Sequence, residues 1–261
     1  MAPEHVTVER EGDVGRLVME RPEQNNAMDP QMAEEMRSAA AELAHDDDVR
    51  CIVFTGTGAT FNTGADLSTL EGDETDSVRI RTLAGRLHET VSALMRAPKP
   101  VVCGVNGVAA GGGLGPAVCG DIVVVAESGR FEFAYPRIGL SADGGSTYFL
   151  PRLVGVRTAL EIAMRDDPVG PAEAVEIGLA NEVVSDAEFE DRLAEQAVDL
   201  AGGPTRAYAV TRQLMRTSYE YGLDEQMGRE AKHISTLTET GDFARGIEGF
   251  FGDGEAAFEG R

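Results

Sequence analysis

The stretch VVCGVNGVAAGGGLGPAVCGD, residues 101–121, decides the fold. Val101 to Val105 is a short apolar run with the make-up of a buried strand. Gly111, Gly112 and Gly113 follow, and Leu114 to Cys119 reads as a helix. Three adjacent glycines give up backbone entropy in return for steric openness. A strand entering a helix through such a turn presents free backbone N–H groups at the positive end of the helix dipole, where negative charge is favoured. The turn therefore reads as an anion or oxyanion site.

A second turn of this kind lies upstream. Cys51 to Phe54 is a short apolar strand, followed by Thr55-Gly56-Thr57-Gly58 and then by Phe61-Asn62-Thr63-Gly64-Ala65-Asp66. Two backbone donors converging on one oxygen would form an oxyanion hole; two tight turns without a ligand are the plainer alternative. Other glycine-rich sites are excluded. No glycine set has the G-x-G-x-x-G spacing of a dinucleotide fingerprint, and no Gly-Lys-Ser/Thr follows a glycine turn. Lys99, between Pro98 and Pro100, reads as a linker into a strand, not as a phosphate cradle.

With 261 residues the chain can bury roughly three quarters of its unfolded surface, enough for a full core without metals or disulfides. Cys51, Cys103 and Cys119 each sit in apolar surroundings, and His5, His45, His88 and His233 show no metal spacing. No metal and no separate cofactor is expected. The net charge is −22, from 45 acidic and 23 basic residues, with Lys99 and Lys232 the only lysines. Such a charge repels nucleic acid phosphates and anionic lipid, and favours solubility where salt screens it. Neither nucleic acid nor membrane is expected as a partner. A halophilic cytoplasmic protein is the simplest expectation, an ordinary acidic enzyme the alternative. Met1 to His5 has no targeting character, and no run approaches the roughly 20 apolar residues of a membrane span.

Along the chain, Val6 to Glu11 and Val14 to Glu20 alternate around Gly12-Asp13 as a hairpin. Asp29-Pro30 starts a helix with Met32, Met36, Ala39 or Ala40, and Leu43 on its apolar stripe. A second helix spans about Ser77 to Arg96, with Ile80, Leu83, Leu87, Val91 and Leu94 on one face. Strands at Ile122 to Ala126 and Phe131 to Tyr135 follow, then a loop with Asp143 and a helix at Gly144 to Leu153. Strands alternating with helices predict parallel βαβ units in an α/β fold. Helices at Asp186 to Ala201, Thr205 to Tyr219 and Leu223 to Thr240 precede a frayed tail. Gly202-Gly203-Pro204 marks a boundary between a core, 1–201, and a helical region, 202–261.

The order of these motifs resembles the crotonase (enoyl-CoA hydratase/isomerase) family over nearly the whole chain. Asn26-Ala27-Met28, Gly64-Ala65-Asp66-Leu67, Lys99-Pro100-Val101, Asn106-Gly107, Gly111-Gly112-Gly113, Cys119-Gly120-Asp121, Ile138-Gly139-Leu140, Asp143-Gly144-Gly145 and Leu150 to Gly155 carry the resemblance. It implies a crotonase-like spiral of ββα repeats with C-terminal helices that build a homotrimer, or a hexamer as a dimer of trimers. It also implies acyl-CoA thioester substrates, coenzyme A entering only as part of the substrate. Carried over by position, the N–H groups of Ala65 and Gly112 would form the oxyanion hole. The loop of Asn26 and Ala27 and the turn of Gly64, Ala65, Asp66 and Leu67 would hold the CoA, with Gly111, Gly113 and Tyr135 lining the substrate. Lysine or arginine near the C-terminus often meets the CoA phosphate in this family; here the tail runs Phe250-Phe251-Gly252-Asp253-Gly254-Glu255 and ends in Arg261.

The acid/base pattern departs from the family's hydratases, which hold and split a water between two glutamates. The first would stand at Gly115. The second falls at Tyr135, or with a small shift at Glu132 or Arg137. Asp143 remains as the candidate base, in the manner of relatives that move double bonds; capping the helix at Gly144 is its structural alternative. Asp66 reads as a cap or turn former, Tyr135 as a packing residue or a donor to substrate, and Arg21 as a phosphate contact or a surface residue. The leading expectation is an enoyl-CoA double-bond isomerase that works through an enolate. A hydratase of fatty acid β-oxidation with atypical acid/base residues and a non-catalytic acyl-CoA binder are the alternatives.

Overall fold

A computed structural model describes residues 4–252, 254 and 256–261. The chain winds through four repeats, each with two strands and then a helix. The first is the hairpin β1 (Val6–Glu11) and β2 (Val14–Met19) followed by α1 (Pro30–His45). The second is β3 (Cys51–Gly56), β4 (Thr60–Asn62) and α2 (Asp76–Arg96). The third is β5 (Val101–Val105), β6 (Val108–Ala110) and the single-turn α3 (Leu114–Ala117). The fourth is β7 (Ile122–Ala126), β8 (Arg130–Glu132) and α4 (Ser146–Leu153). This is the expected spiral of ββα repeats. Successive β3, β5 and β7 pair in parallel in one six-stranded sheet, while β4, β6 and β8 pair in parallel in a second.

The large sheet is buried on both faces, which explains why its central strands read as unbroken apolar runs. Ile52, Phe54, Val101, Cys103, Val105, Val123 and Val125 pack into the main core with the Met32, Met36 and Leu43 stripe of α1. Val53, Val102 and Val124 face the other way, against Phe189, Leu193, Ala197 and Ala201 of α7 (Phe189–Gly202). On α2 the stripe divides: Leu87, Val91 and Leu94 are buried, whereas Ile80 and Leu83 line an open cavity. All three cysteines are free and buried. Lys99 is buried as well, its ammonium donating to the carbonyls of Leu43 (3.1 Å) and Asp46 (2.5 Å) at the end of α1. No helix among the described residues is long and apolar enough to cross a membrane.

Several boundaries differ from the sequence-based expectations. Between α4 and α7 lie α5 (Gly155–Arg165), α6 (Pro171–Glu176) and an edge strand, β9 (Glu182–Val184), that pairs with β7. At three residues β9 is too short to show a period. The strand expected through Tyr135 stops at Glu132, and α7 begins at Phe189 rather than Asp186. Asp186 instead accepts the Ser128 amide at 3.0 Å. Beyond α8 (Thr205–Thr217) and α9 (Leu223–Leu237), the expected frayed tail contains a further helix, α10 (Gly241–Phe251). Thr240 caps it through the Phe243 amide. Buried Asp242 then accepts the amides of Glu259 and Gly260, both at 2.8 Å, and ties the chain end back. That tie is a long-range contact, invisible in local pattern.

Arg212 fastens α8 to the core. Its guanidinium donates to Asp121 at 3.0 Å and to the carbonyls of Ala97 and Leu94, with its side chain only 8% exposed. Removing one partner of a buried pair leaves the other uncompensated. Arg212→Ala is therefore expected to lower the unfolding free energy by about 3 kcal/mol. A denaturant titration checks this; an unchanged midpoint contradicts it.

Candidate active site

The two glycine turns meet at the ends of neighbouring strands, because β4 and β6 are hydrogen-bonded partners. Gly64 follows β4 with φ +83°, and a Cβ there would lie 2.8 Å from the Gly112 nitrogen. The backbones touch with no side chain between them. Buried Asn62 sets this turn: its Oδ1 accepts the Gly64 amide at 2.8 Å, and its Nδ2 donates to the Asn26 carbonyl at 2.7 Å. A single parallel bridge then joins Met28 to Ala65. The Met28 amide donates to Gly64 and the Asp66 amide to Met28, at 2.7 and 2.9 Å. In that pattern the N–H of the intervening residue, Ala65, turns to the opposite side. The Gly112 amide is second in its helical turn, where no carbonyl of the same helix can reach it.

A cavity of about 360 Å³ opens over both turns. Gly64, Ala65, Leu67, Gly111, Gly112, Tyr135 and Asp143 line it. Met28, Ile80, Leu83, Leu87, Ile138 and Leu140 supply its apolar walls. Asp143 comes close to the second turn: a Cβ on Gly112 would lie 3.5 Å from its Oδ1. That oxygen accepts the Tyr135 hydroxyl at 2.6 Å. Burial, the adjacent Asp143 charge and that hydrogen bond push the Tyr135 phenol well above its ordinary pKa, so it stays protonated. Asp143 does not cap α4. The helix begins at Ser146 behind Gly145, and only the Asp143 carbonyl takes part, accepting the Ser146 amide at 3.0 Å. Gly144, next in the chain, donates its amide to His88 Nε2 at 3.3 Å.

The other expected carboxylate positions are resolved by packing. A Cβ on Gly115 would fall 1.9 Å from the Gly144 carbonyl oxygen, so no side chain fits there. Glu132 does not line the cavity; it is ion-paired to Arg130 and Arg137, both at 2.6 Å. Burial pushes the Glu132 carboxyl up, but hydrogen bonds from both arginines outweigh it and leave it below its ordinary value. Among the described residues no group of three or more His, Cys, Asp or Glu could hold a metal.

Four residues expected to contact substrate lie outside the cavity. The Asn26 side chain is fully buried, donating to the carbonyls of Thr57 and Thr60 and accepting the Arg21 amide. The Ala27 carbonyl accepts the Arg21 guanidinium at 2.8 Å. Asp66 behaves as a turn former, accepting from Ser68 and pairing with Arg21 at 2.7 Å. The Ser68 hydrogen bond, aided by Arg21 against burial, holds its carboxyl below the ordinary range. Gly113 is buried behind the turn against Asn62. Arg21, bound inward to Asp66 and Asp29, is no surface residue. Sequence reasoning missed Asn62, Met28 and His88. An Asn two residues before a glycine turn was the readable signal for Asn62; the other two act across long chain separations. A larger cavity, about 1220 Å³, lies between α2, α4, α8 and α9 and takes Gly144 as part of its wall. Its lining contains no carboxylate beside a glycine turn of this kind.

Gly115→Ala is expected to cost about 2 kcal/mol by overpacking. It should also displace the Gly144 carbonyl and weaken turnover. Thermal unfolding of the purified variant checks this; wild-type stability would contradict it.

This constellation can be compared with known proteins. A family model described as enoyl-CoA hydratase/isomerase matches residues 9–261. A probable enoyl-CoA hydratase of Rhodobacter capsulatus is 34% identical over 247 residues, covering 94% of each chain. The 1,2-epoxyphenylacetyl-CoA isomerase of Escherichia coli is 31% identical over 253 residues, covering 96% of this chain and 97% of its own. A crystal structure of an enoyl-CoA hydratase/isomerase from Mycobacterium abscessus matches with a TM-score of 0.93 at 31% identity, over 98% of this chain and 100% of that one.

Proposed function

The chain belongs to the enoyl-CoA hydratase/isomerase family, the crotonases, which act on acyl-CoA thioesters, and from that premise we propose that it shifts a carbon–carbon double bond within an enoyl-CoA. The observation that carries this reading is a lone carboxylate, Asp143, beside the Gly112 turn, where the packing of Gly115 excludes a second one. Hydration by two carboxylates needs both. A proton moved between two carbons needs one.

In this reading the thioester oxygen accepts hydrogen bonds from the N–H groups of Ala65 and Gly112, which act as the oxyanion hole. Asp143 removes a proton from the α carbon of a β,γ-enoyl-CoA. The electron pair moves onto the thioester oxygen as an extended enolate. Asp143 then returns the proton to the γ carbon, leaving the α,β double bond. The charge thus passes from Asp143 to the oxygen and back. The apolar walls strengthen the amide–oxygen attraction and exclude water that would otherwise add to the product. Gly64 and Leu67 are proposed to guide the CoA arm into the cavity, with the loop of Asn26 and Ala27 acting through its backbone. Assembly into a homotrimer or hexamer belongs to the same proposal: Met215, Tyr219, Leu223, Ile234, Phe250 and Phe251 are at least two-thirds exposed on the C-terminal helices.

Asp143→Asn is expected to lower the rate of β,γ- to α,β-enoyl-CoA conversion by about 10²–10⁴-fold, the usual contribution of a positioned base. Appearance of the conjugated thioester's absorbance measures it, and an undiminished rate refutes the assignment. Crotonyl-CoA should keep its conjugation when incubated with the enzyme in water. Rapid loss would instead favour a hydratase, the activity for which the R. capsulatus relative is named.

A further inference from the structure

Asp143 is the one carboxylate among the described residues that accepts a hydrogen bond from a phenol. We propose that Tyr135 is the positioning residue of the proton shuttle: its hydroxyl holds Oδ1 of Asp143 and leaves Oδ2 as the oxygen that takes and returns the substrate proton. This rests on the isomerase reading above.

The geometry is restrictive. The hydroxyl lies 2.6 Å from Oδ1, while Oδ2 accepts no hydrogen bond from the described residues. Tyr135 is buried, its ring edge-on to Phe133 at 5.1 Å between centroids. Its backbone is tied on both sides, the amide to the Phe133 carbonyl at 2.8 Å and the carbonyl to the Leu140 amide at 3.1 Å. The preceding Ala134 has φ +61°, a left-handed conformation that an alanine adopts only when its surroundings impose it. The chain is thus bent so that the phenol points at the base. Because burial keeps the phenol protonated, it is a donor and never a competing base.

A carboxylate with two equivalent free oxygens can rotate between the α and γ carbons and lose its aim. One oxygen pinned by a phenol removes that freedom. A hydrogen bond donated to the ionised carboxylate also favours its basic form over its protonated form. The phenol proton stays on Tyr135 throughout, so no bond to it forms or breaks. Few other titratable or charged groups face Asp143. From α2 there is His88, held through the Gly144 amide. From the turn Tyr135–Ile138 there is Arg137, already paired with Glu132 and Asp166. The Ala65 and Gly112 turns contribute no charged residue to the cavity lining.

Tyr135→Phe keeps the ring and removes the pin. With a β,γ-enoyl-CoA as substrate, kcat is expected to fall about tenfold while KM stays within about twofold. The acid limb of the kcat profile should move to higher pH, since a donor to the charged form is lost. Placing 3-fluorotyrosine at position 135 gives a stronger donor with the fold intact, and should move that limb to lower pH. Phe133→Leu, which disturbs the packing of Tyr135 but not its hydroxyl, should leave the limb where it is. An acid limb unmoved in both the Phe and the fluorotyrosine proteins, or a loss confined to KM, overturns the proposal. Asp143→Asn separates the two levels. An inactive Asn variant beside an unaffected Phe variant sinks only the role of Tyr135, whereas an active Asn variant sinks the isomerase reading itself.

Discussion

Two stretches of main chain, at Gly64 and at Gly112, lie against each other with no side chain between them, and the rest of the site depends on that contact. It is possible because β4 and β6 are neighbours in the small sheet and each runs on into a glycine turn. Asn62 then satisfies the Gly64 amide with its own side chain, and the Met28 bridge occupies the Gly64 carbonyl and the Asp66 amide on either side of the Ala65 N–H. The N–H groups of Ala65 and Gly112 donate to no partner among the described residues, and they are the donors that the proposed oxyanion hole would use. Backbone donors suit this role, because the spiral holds them rigidly before any substrate arrives.

The same contact fixes where charge can sit. Gly115 and the Gly144 carbonyl pack so closely that a carboxylate in that place is impossible, and Glu132 is held away by two arginines. Asp143 is left as the lone acidic group lining the cavity, with Arg137 the other charged residue there. The net charge of the chain is −22, yet among the described residues all the acidic groups but one are kept off the cavity wall. Several acidic groups near the site are bound to arginine instead, as Asp66 is to Arg21 and Asp166 to Arg137.

Much of this was legible before any coordinates. The apolar runs at Cys51, Val101 and Ile122 are central strands of the large sheet, readable because both faces are covered and no alternation blurs them. The helix starting at Asp29-Pro30 announces itself through its cap, and Asp29 does accept the Met32 amide. What escaped was set by partners distant in sequence. The three residues of β9 form a strand only because β7 lies beside them. The tail holds α10 because Asp242 reaches amides seventeen and eighteen residues away. The hydrogen bond from Tyr135 to Asp143 escaped as well, because the two residues stand eight apart across an irregular turn.

Residue order alone determined the alternation of strands with helices and the two glycine turns, since these follow from hydrophobic period and from the steric freedom of glycine, whereas the spiral winding was implied only by the resemblance to the crotonases. The resemblance to the crotonases also nominates Asp143, at the place where relatives that move double bonds carry an aspartate. Only the folded chain decided where each candidate side chain lies and what it touches. Folding turned the Asn26 and Asp66 side chains inward as supports, closed the space at Gly115, and brought a phenol to Asp143. The physical reason is that hydrogen bonding and exclusion are settled at distances of a few ångströms, between atoms that the linear chain does not place together.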